Sequence, residues 1–377
     1  MLSTILIFIL ILGILVFVHE FGHFIAAKKF GVRVEEFALG FPPRIWSKIK
    51  NGTKYSINWI PIGGFVKLKG EDGSEKKDED SFARKKNWQK SLILASGVGM
   101  NFLLAAIVLS FGFMIGSPQM LNGNMGKYAK IRDEKIQIVN VLKNSSAEES
   151  GIMEGDIIKS IDGKIFAEVK DIQEYINEHS DGKMVFEIIR GEEIIIRELE
   201  ARYFENKDAI EIEEWQKYMV GVSLSKVAII SYPFHIATYK GFETTFFLTK
   251  EILKAFYELI KNLIVIQKVT VDFTGPIGIA SMTGQIANLG FIYLLQFIAL
   301  LSINLGIINL MPFPALDGGR IFFLILEKIR GKAVDEKLEA LIHNIGFFIL
   351  MLLIVAITYK DIINNKSMFI DFFRKIF

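Results

Sequence analysis

Apolar positions in this chain gather into long runs before they form any stripe. Residues 2–27, 92–115, about 289–310 and about 342–357 are apolar on every face of a helix. A hydrocarbon core of roughly 30 Å is crossed by about 20 such residues, so the pattern predicts four spans. The first run exceeds a signal-peptide core and is followed by no small-residue cleavage site, so it reads as retained. A fifth stretch, 244–266, is apolar but carries Lys250, Glu251, Lys254, Glu258 and Lys261 at helical spacing. It predicts an amphipathic helix lying at a surface, within a linker over 227–288; insertion into the bilayer is the alternative.

Between the runs the period changes. In 55–68, Tyr55, Ile57 and Trp59 alternate with polar residues, and Gly63-Gly64 signals a turn or bulge, so this loop reads as strands. The acidic 71–80 that follows reads as a mobile loop. Residues 127–202 form the core of a compact α/β module placed within 117–226. Gly151 and Gly155 suit a tight turn, 157–161 a buried strand and Asp162-Gly163 a second turn. A helix over 169–178, an alternating strand over 184–190 and a turn at Gly191 complete it.

Composition agrees with the runs. Of 377 residues 51% are hydrophobic, the formal net charge is +2, and there is no cysteine. Mean hydropathy is positive, +0.35. The charge gives no reason to expect a nucleic-acid partner. The missing cysteines exclude disulfides, thiolate nucleophiles and Cys-bound zinc, leaving His and carboxylates for any metal. Lysines and arginines sit where they fix a topology. The loop after the first run holds Lys28, Lys29, Arg33, Arg44, Lys48 and Lys50, then Arg84, Lys85, Lys86 and Lys90. The loop after the third holds Arg320, Lys328, Arg330 and Lys332. Both are expected on the cytoplasmic side, which places about 117–288 and both termini opposite.

His19-Glu-Phe-Gly-His23 closes the first run. Residues four apart share a helix face, so two imidazoles can meet one zinc while Glu20 takes a proton from water activated there. Ionisable groups inside a span cost roughly 2.5–3.5 kcal/mol each, which argues against filler. Polar residues at the cytoplasmic mouth are the plainer alternative. A catalytic zinc ordinarily has three protein ligands. Lys29 stands where a nearby third histidine would fall, and Glu35 and Glu36 are local candidates in a basic segment. Asp317 is the better candidate, in Asn309-Leu-Met-Pro-Phe-Pro-Ala-Leu-Asp-Gly-Gly-Arg320. Pro312 and Pro314 break the helix there, and irregular backbone near membrane depth must line a cavity or be buried in protein. Asn304 and Asn309 add amides to the same span, for interhelical hydrogen bonds or for substrate.

These motifs resemble the site-2 protease family of intramembrane zinc metalloproteases, in the regulator-of-sigma-E protease branch. The likeness rests on His19 to His23, the Asn309-x-x-Pro-x-Pro-x-Leu-Asp-Gly318 motif, Gly275-Pro-Ile-Gly278 and the Gly63-Gly64 hairpin. It rests also on a PDZ-like glycine pattern at 151–163. The resemblance implies an α-helical polytopic membrane protein of about four transmembrane helices. It implies a cytoplasmic-side β-hairpin loop and an inserted extracytoplasmic α/β PDZ-like domain. The first two spans would occupy 1–116 and the last two 289–377. By the same resemblance His19, His23 and Asp317 hold zinc and Glu20 is the catalytic base. Asn309, Asn304, Gly63 and Gly64 bind substrate, an unwound segment of a single-span membrane protein. The expected place is the bacterial inner membrane, and the expected substrates are anti-sigma factors or remnant signal peptides. Family members with two tandem PDZ domains differ, since 203–226 repeats no glycine pattern. Two rival readings are a PDZ-bearing adaptor, for which Glu20 has no use, and a metal transporter, which needs polar residues at more depths.

Overall fold

The computed structural model describes residues 2–73, 75–121, 125–191, 193–203, 218–265, 274–332 and 334–364. It divides into two compact units, Met1–Phe111 with Thr238–Phe377, and Gly112–Ala237. The first unit opens with helix α1 (Leu2–Lys29), the long strands β1 (Val34–Lys50) and β2 (Thr53–Leu68), and helix α2 (Asn87–Ile115). Asn51 and Gly52, both at positive φ, make the tight turn between the strands. That Asn-Gly pair is a strong hairpin signal, and β1 is the partner strand that the alternation in 55–68 left unassigned. Residues 36–39 pair with 54–57 and also with 64–67, because β2 reverses near Gly63. The reversal leaves residues 64–68 as an edge. Farther out, Trp46, Ile49 and Trp59 are exposed. The acidic loop is tied down: Lys69 bridges Asp78 and Asp80 at 2.7 and 2.8 Å, and both carboxylates hold its ammonium pKa above the ordinary value. Two ion pairs on one lysine are what the composition of 71–80 did not reveal.

The second unit carries β3 (Ser117–Met120), β4 (Lys130–Val141), the short α3 (Ser146–Glu149), β5 (Ile157–Ile161), α4 (Val169–Glu178), β6 (Lys183–Arg190) and β7 (Glu193–Glu200). It ends with β8 (Arg202–Tyr203), β9 (Tyr218–Met219) and β10 (Val222–Ser231). Six strands form one sheet in the order β3-β10-β4-β5-β6-β7. The expected strand, helix and turns between 151 and 191 all form. β10 crosses the boundary expected at 226, because it pairs with both β3 and β4. Met184, Phe186 and Ile188 alternate inward with Ile161 and Ile172 into a dry core. Asp156, buried, takes Arg190 in a bidentate pair and also accepts the Met153 N–H at 2.8 Å. Part of the stretch without a second glycine pattern, 204–217, lies outside the described residues.

The chain then continues with α5 (Phe234–Val265), which enters the first unit at Thr238, and with α6 (Pro276–Leu289), α7 (Phe291–Leu310), α8 (Asp317–Arg330) and α9 (Glu336–Asn364). Among the described residues, four helical segments are long and apolar enough to cross a membrane: Ser3–Lys29, Asn87–Ile115, Phe291–Leu310 and Lys337–Ile363. α5 is not among them, in keeping with its charged stripe, and it begins ten residues before the amphipathic stretch expected from 244. Residue 266, the last of that expected stretch, is outside the described residues. The Gly275–Gly278 element opens α6 with proline in its first turn. The buried Asp361 of α9 accepts the Gly278 N–H at 2.7 Å, capping one helix from another.

Candidate metal centre

His19 and His23 fall on one face of α1, as their spacing requires, and both are buried. Their Nε2 atoms lie 3.2 Å apart. Asp317 Oδ2 lies 3.1 Å from His19 Nε2 and 3.2 Å from His23 Nε2. The three donors thus make a nearly equilateral triangle. Ligands at the usual zinc distances on the corners of a tetrahedron stand about 3.3 Å apart, so the triangle fits one face of a zinc tetrahedron. Oδ2 has no hydrogen-bond donor of its own and is buried, which suits a ligand atom. Among the described residues these are the His and carboxylate groups that converge closely enough to hold a metal ion. Glu35 and Glu36 are occupied elsewhere: Lys67 pairs with Glu35, and Arg44 and Ser56 donate to Glu36.

The loop after α7 explains how a carboxylate distant in sequence arrives here. Met311 is extended, Ala315 has φ +76°, and α8 starts at Asp317, whose charge suits a helix N-terminus. A Cβ on Gly318 would strike the Leu310 and Met311 carbonyls, and one on Gly319 the Phe313 carbonyl. Both glycines are therefore needed for the loop to fold back on its helix. His343 of α9 accepts the Ala315 N–H at 2.9 Å and steadies the turn.

α2 supplies the other wall. A Cβ on Gly97 would overlap the His23 ring and come within 2.8 Å of His19 Cε1, so only glycine leaves room for the two imidazoles. The Ile93 carbonyl lies 2.9 Å from His23 Nδ1, and the Asn101 amide 3.2 Å from His19 Nδ1. None of these three α2 residues follows from the apolar pattern. Asn101 had a signal, a lone amide deep in an apolar run one turn after a glycine.

A cavity of about 190 Å³ opens beside the triangle, room for several waters. His19, Glu20, His23 and Asp317 line it, as do Gly64, Phe65, Val66 and Leu68 from the outer edge of β2. Glu71 and Arg320, paired with each other, close another side. Asn309 comes to 3.4 Å from His19 Nε2. Asn304 does not line the cavity; its amide donates to the Leu300 carbonyl within α7. Gly63 stands just before the edge, where its positive φ makes the reversal.

Comparison with known proteins gives this geometry a setting. Residues 7–353 match the model of peptidase family M50. The regulator of sigma-W protease RasP of Bacillus subtilis (strain 168) is 31% identical, over 96% of this chain and 98% of its own length. A putative zinc metalloprotease of Clostridium perfringens is 33% identical over 93% of this chain and 95% of its own. One from Helicobacter pylori is 30% identical over 94% and 97%. A match spanning nearly the whole chain, with a metal-shaped triangle and a carboxylate beside it, has one reading: the chain belongs to peptidase family M50, the site-2 protease family of metalloendopeptidases.

Proposed function

We propose that this protein hydrolyses peptide bonds of single-span membrane proteins within or beside the bilayer, with zinc on His19, His23 and Asp317. The carrying observation is that Glu20 shares one cavity with the three donors. Zinc bound there supplies Lewis acidity, easing deprotonation of water and polarising the scissile carbonyl. Glu20 takes a proton from water and delivers it to the leaving amine nitrogen as the C–N bond breaks and a C–O bond forms. The edge of β2 at residues 64–67 offers backbone groups to an extended substrate segment, while Leu68 is already bonded to Glu71. A helical span must unwind before it is cut, and strand addition satisfies the amides thereby exposed. Asn309, near the donors, would hold that segment. Asn304 would reach substrate only above the site on α7.

The lysines and arginines around the first and third spans support an active site near the cytoplasmic face of a bacterial inner membrane. By the same reasoning Gly112–Ala237 is an extracytoplasmic PDZ-like domain, which excludes bulky ectodomains or reads a new C-terminus. Anti-sigma factors or remnant signal peptides are the expected substrates, in regulated intramembrane proteolysis. The test is cleavage of a tagged single-span substrate in detergent. Glu20→Gln should slow it by about 100-fold or more, and a zinc chelator should stop it. A Glu20→Gln enzyme cutting at the wild-type rate would remove Glu20 from the mechanism.

A further inference from the structure

His19 and His23 each use Nε2 toward Asp317, so each must carry its proton on Nδ1 when a metal is bound. That proton needs an acceptor, and both rings are buried. His23 has one, the Ile93 carbonyl at 2.9 Å. At His19 the neighbour is the Asn101 side chain, fully buried, with its amide nitrogen 3.2 Å from Nδ1. In this orientation donor faces donor once Nε2 is a ligand, while Asn101 Oδ1 is buried with no partner. The two ends of an amide are alike in shape, and the hydrogen bonds decide between them. Turning the amide over sets Oδ1 against the His19 Nδ1 proton. The same residue ties α2 to α7, since Ser302 Oγ donates to the Asn101 main-chain carbonyl at 2.8 Å.

We propose that Asn101 is a positioning residue for the metal centre, its side-chain carbonyl accepting the Nδ1 proton of His19 and so fixing Nε2 toward the ion. This rests on the zinc reading above. Gly97 gives the ring its slot, and Asn101, one turn on, sets its rotation and tautomer. Thus α2, which bears none of the ligands, prepares both histidines through one side chain and one backbone carbonyl.

The test is zinc retention by the full-length protein in detergent, measured by competition with a chromogenic chelator. Removing a partner of a liganding histidine ordinarily weakens metal binding by about 10–100-fold. Asn101→Leu should release zinc that much more readily. Asn101→Asp, which can only accept, should stay within about threefold of wild type. Ser302→Ala, which leaves the His19 contact intact, should retain zinc like wild type. Asn101→Leu holding zinc as wild type does would overturn the proposal, as would a folded Asn101→Asp that loses zinc as Asn101→Leu does. Should the Asn101 variants not fold, ring-nitrogen NMR of histidine-labelled, zinc-loaded wild type decides. A His19 Nδ1 proton hydrogen-bonded to a carbonyl supports the role, and an unprotonated Nδ1 overturns it. A wild type that takes up no zinc at all would sink the zinc reading instead.

Discussion

The two units bury opposite things. In Gly112–Ala237 the sheet turns Met184, Phe186 and Ile188 inward against Ile161 and Ile172, and sends Lys183 and Glu193 to the surface. In the unit with the spans, Leu10, Ile107, Phe348 and Leu352 point outward, while His19, His23, Asn101, Thr283 and Ser302 are enclosed. One pattern is that of a protein in water. The other fits a protein in hydrocarbon, where apolar side chains gain little by hiding and polar groups must find partners inside. The contrast teaches where to look for function: in the second kind of unit an enclosed ionisable group is costly unless it is used.

Four substitutions probe the two patterns of burial. The largest effect is expected from Phe186→Ala, which empties the core of the inserted unit at a cost of about 3–5 kcal/mol. Hydrogen exchange of the full chain should show faster exchange in β5 and β6 and leave α1 unchanged. Gly97→Ala comes next, pushing the histidines from their slot. A misplacement of that kind lowers the cleavage rate by about 100-fold, near 2.7 kcal/mol, with the insert still intact. Asp156→Asn strips a buried carboxylate from Arg190. Breaking a buried pair costs about 3–5 kcal/mol, but Arg190 is 30% exposed and water offsets part of it, so about 2 kcal/mol is expected from the same exchange measurement. Phe348→Ala should be smallest. At 75% exposure on α9, its loss should change stability in detergent by less than about 0.5 kcal/mol. If Phe348→Ala cost as much as Phe186→Ala, the inside-out description of the span-bearing unit would be wrong.

Much of this was legible in the chain because some signals are local. The runs announced the spans, His19 and His23 their shared face, Pro312 and Pro314 the broken helix, and Gly151 to Gly191 the turns of the insert. What escaped needed information from two distant places. β1 lacks clean alternation, since residues 36–39 are flanked on both sides and residues 41–50 are exposed. α6 is too short and mixed to stand out, and depends on Asp361 from another helix. The loop at 71–80 reads as mobile until Lys69 is seen between two of its carboxylates. Gly97, Asn101 and the Ile93 carbonyl look like ordinary members of a span until α1 is laid against α2.

On the proposed reading, two histidines from the first helix and an aspartate almost three hundred residues later hold one ion, and metal content decides it. Purified wild type and Glu20→Gln should each carry about one zinc per chain, while Asp317→Ala should carry almost none under the same chelator wash. Asp317→Ala retaining zinc as firmly as wild type would remove Asp317 from the ligand set, leaving the triangle a contact without an ion at its apex.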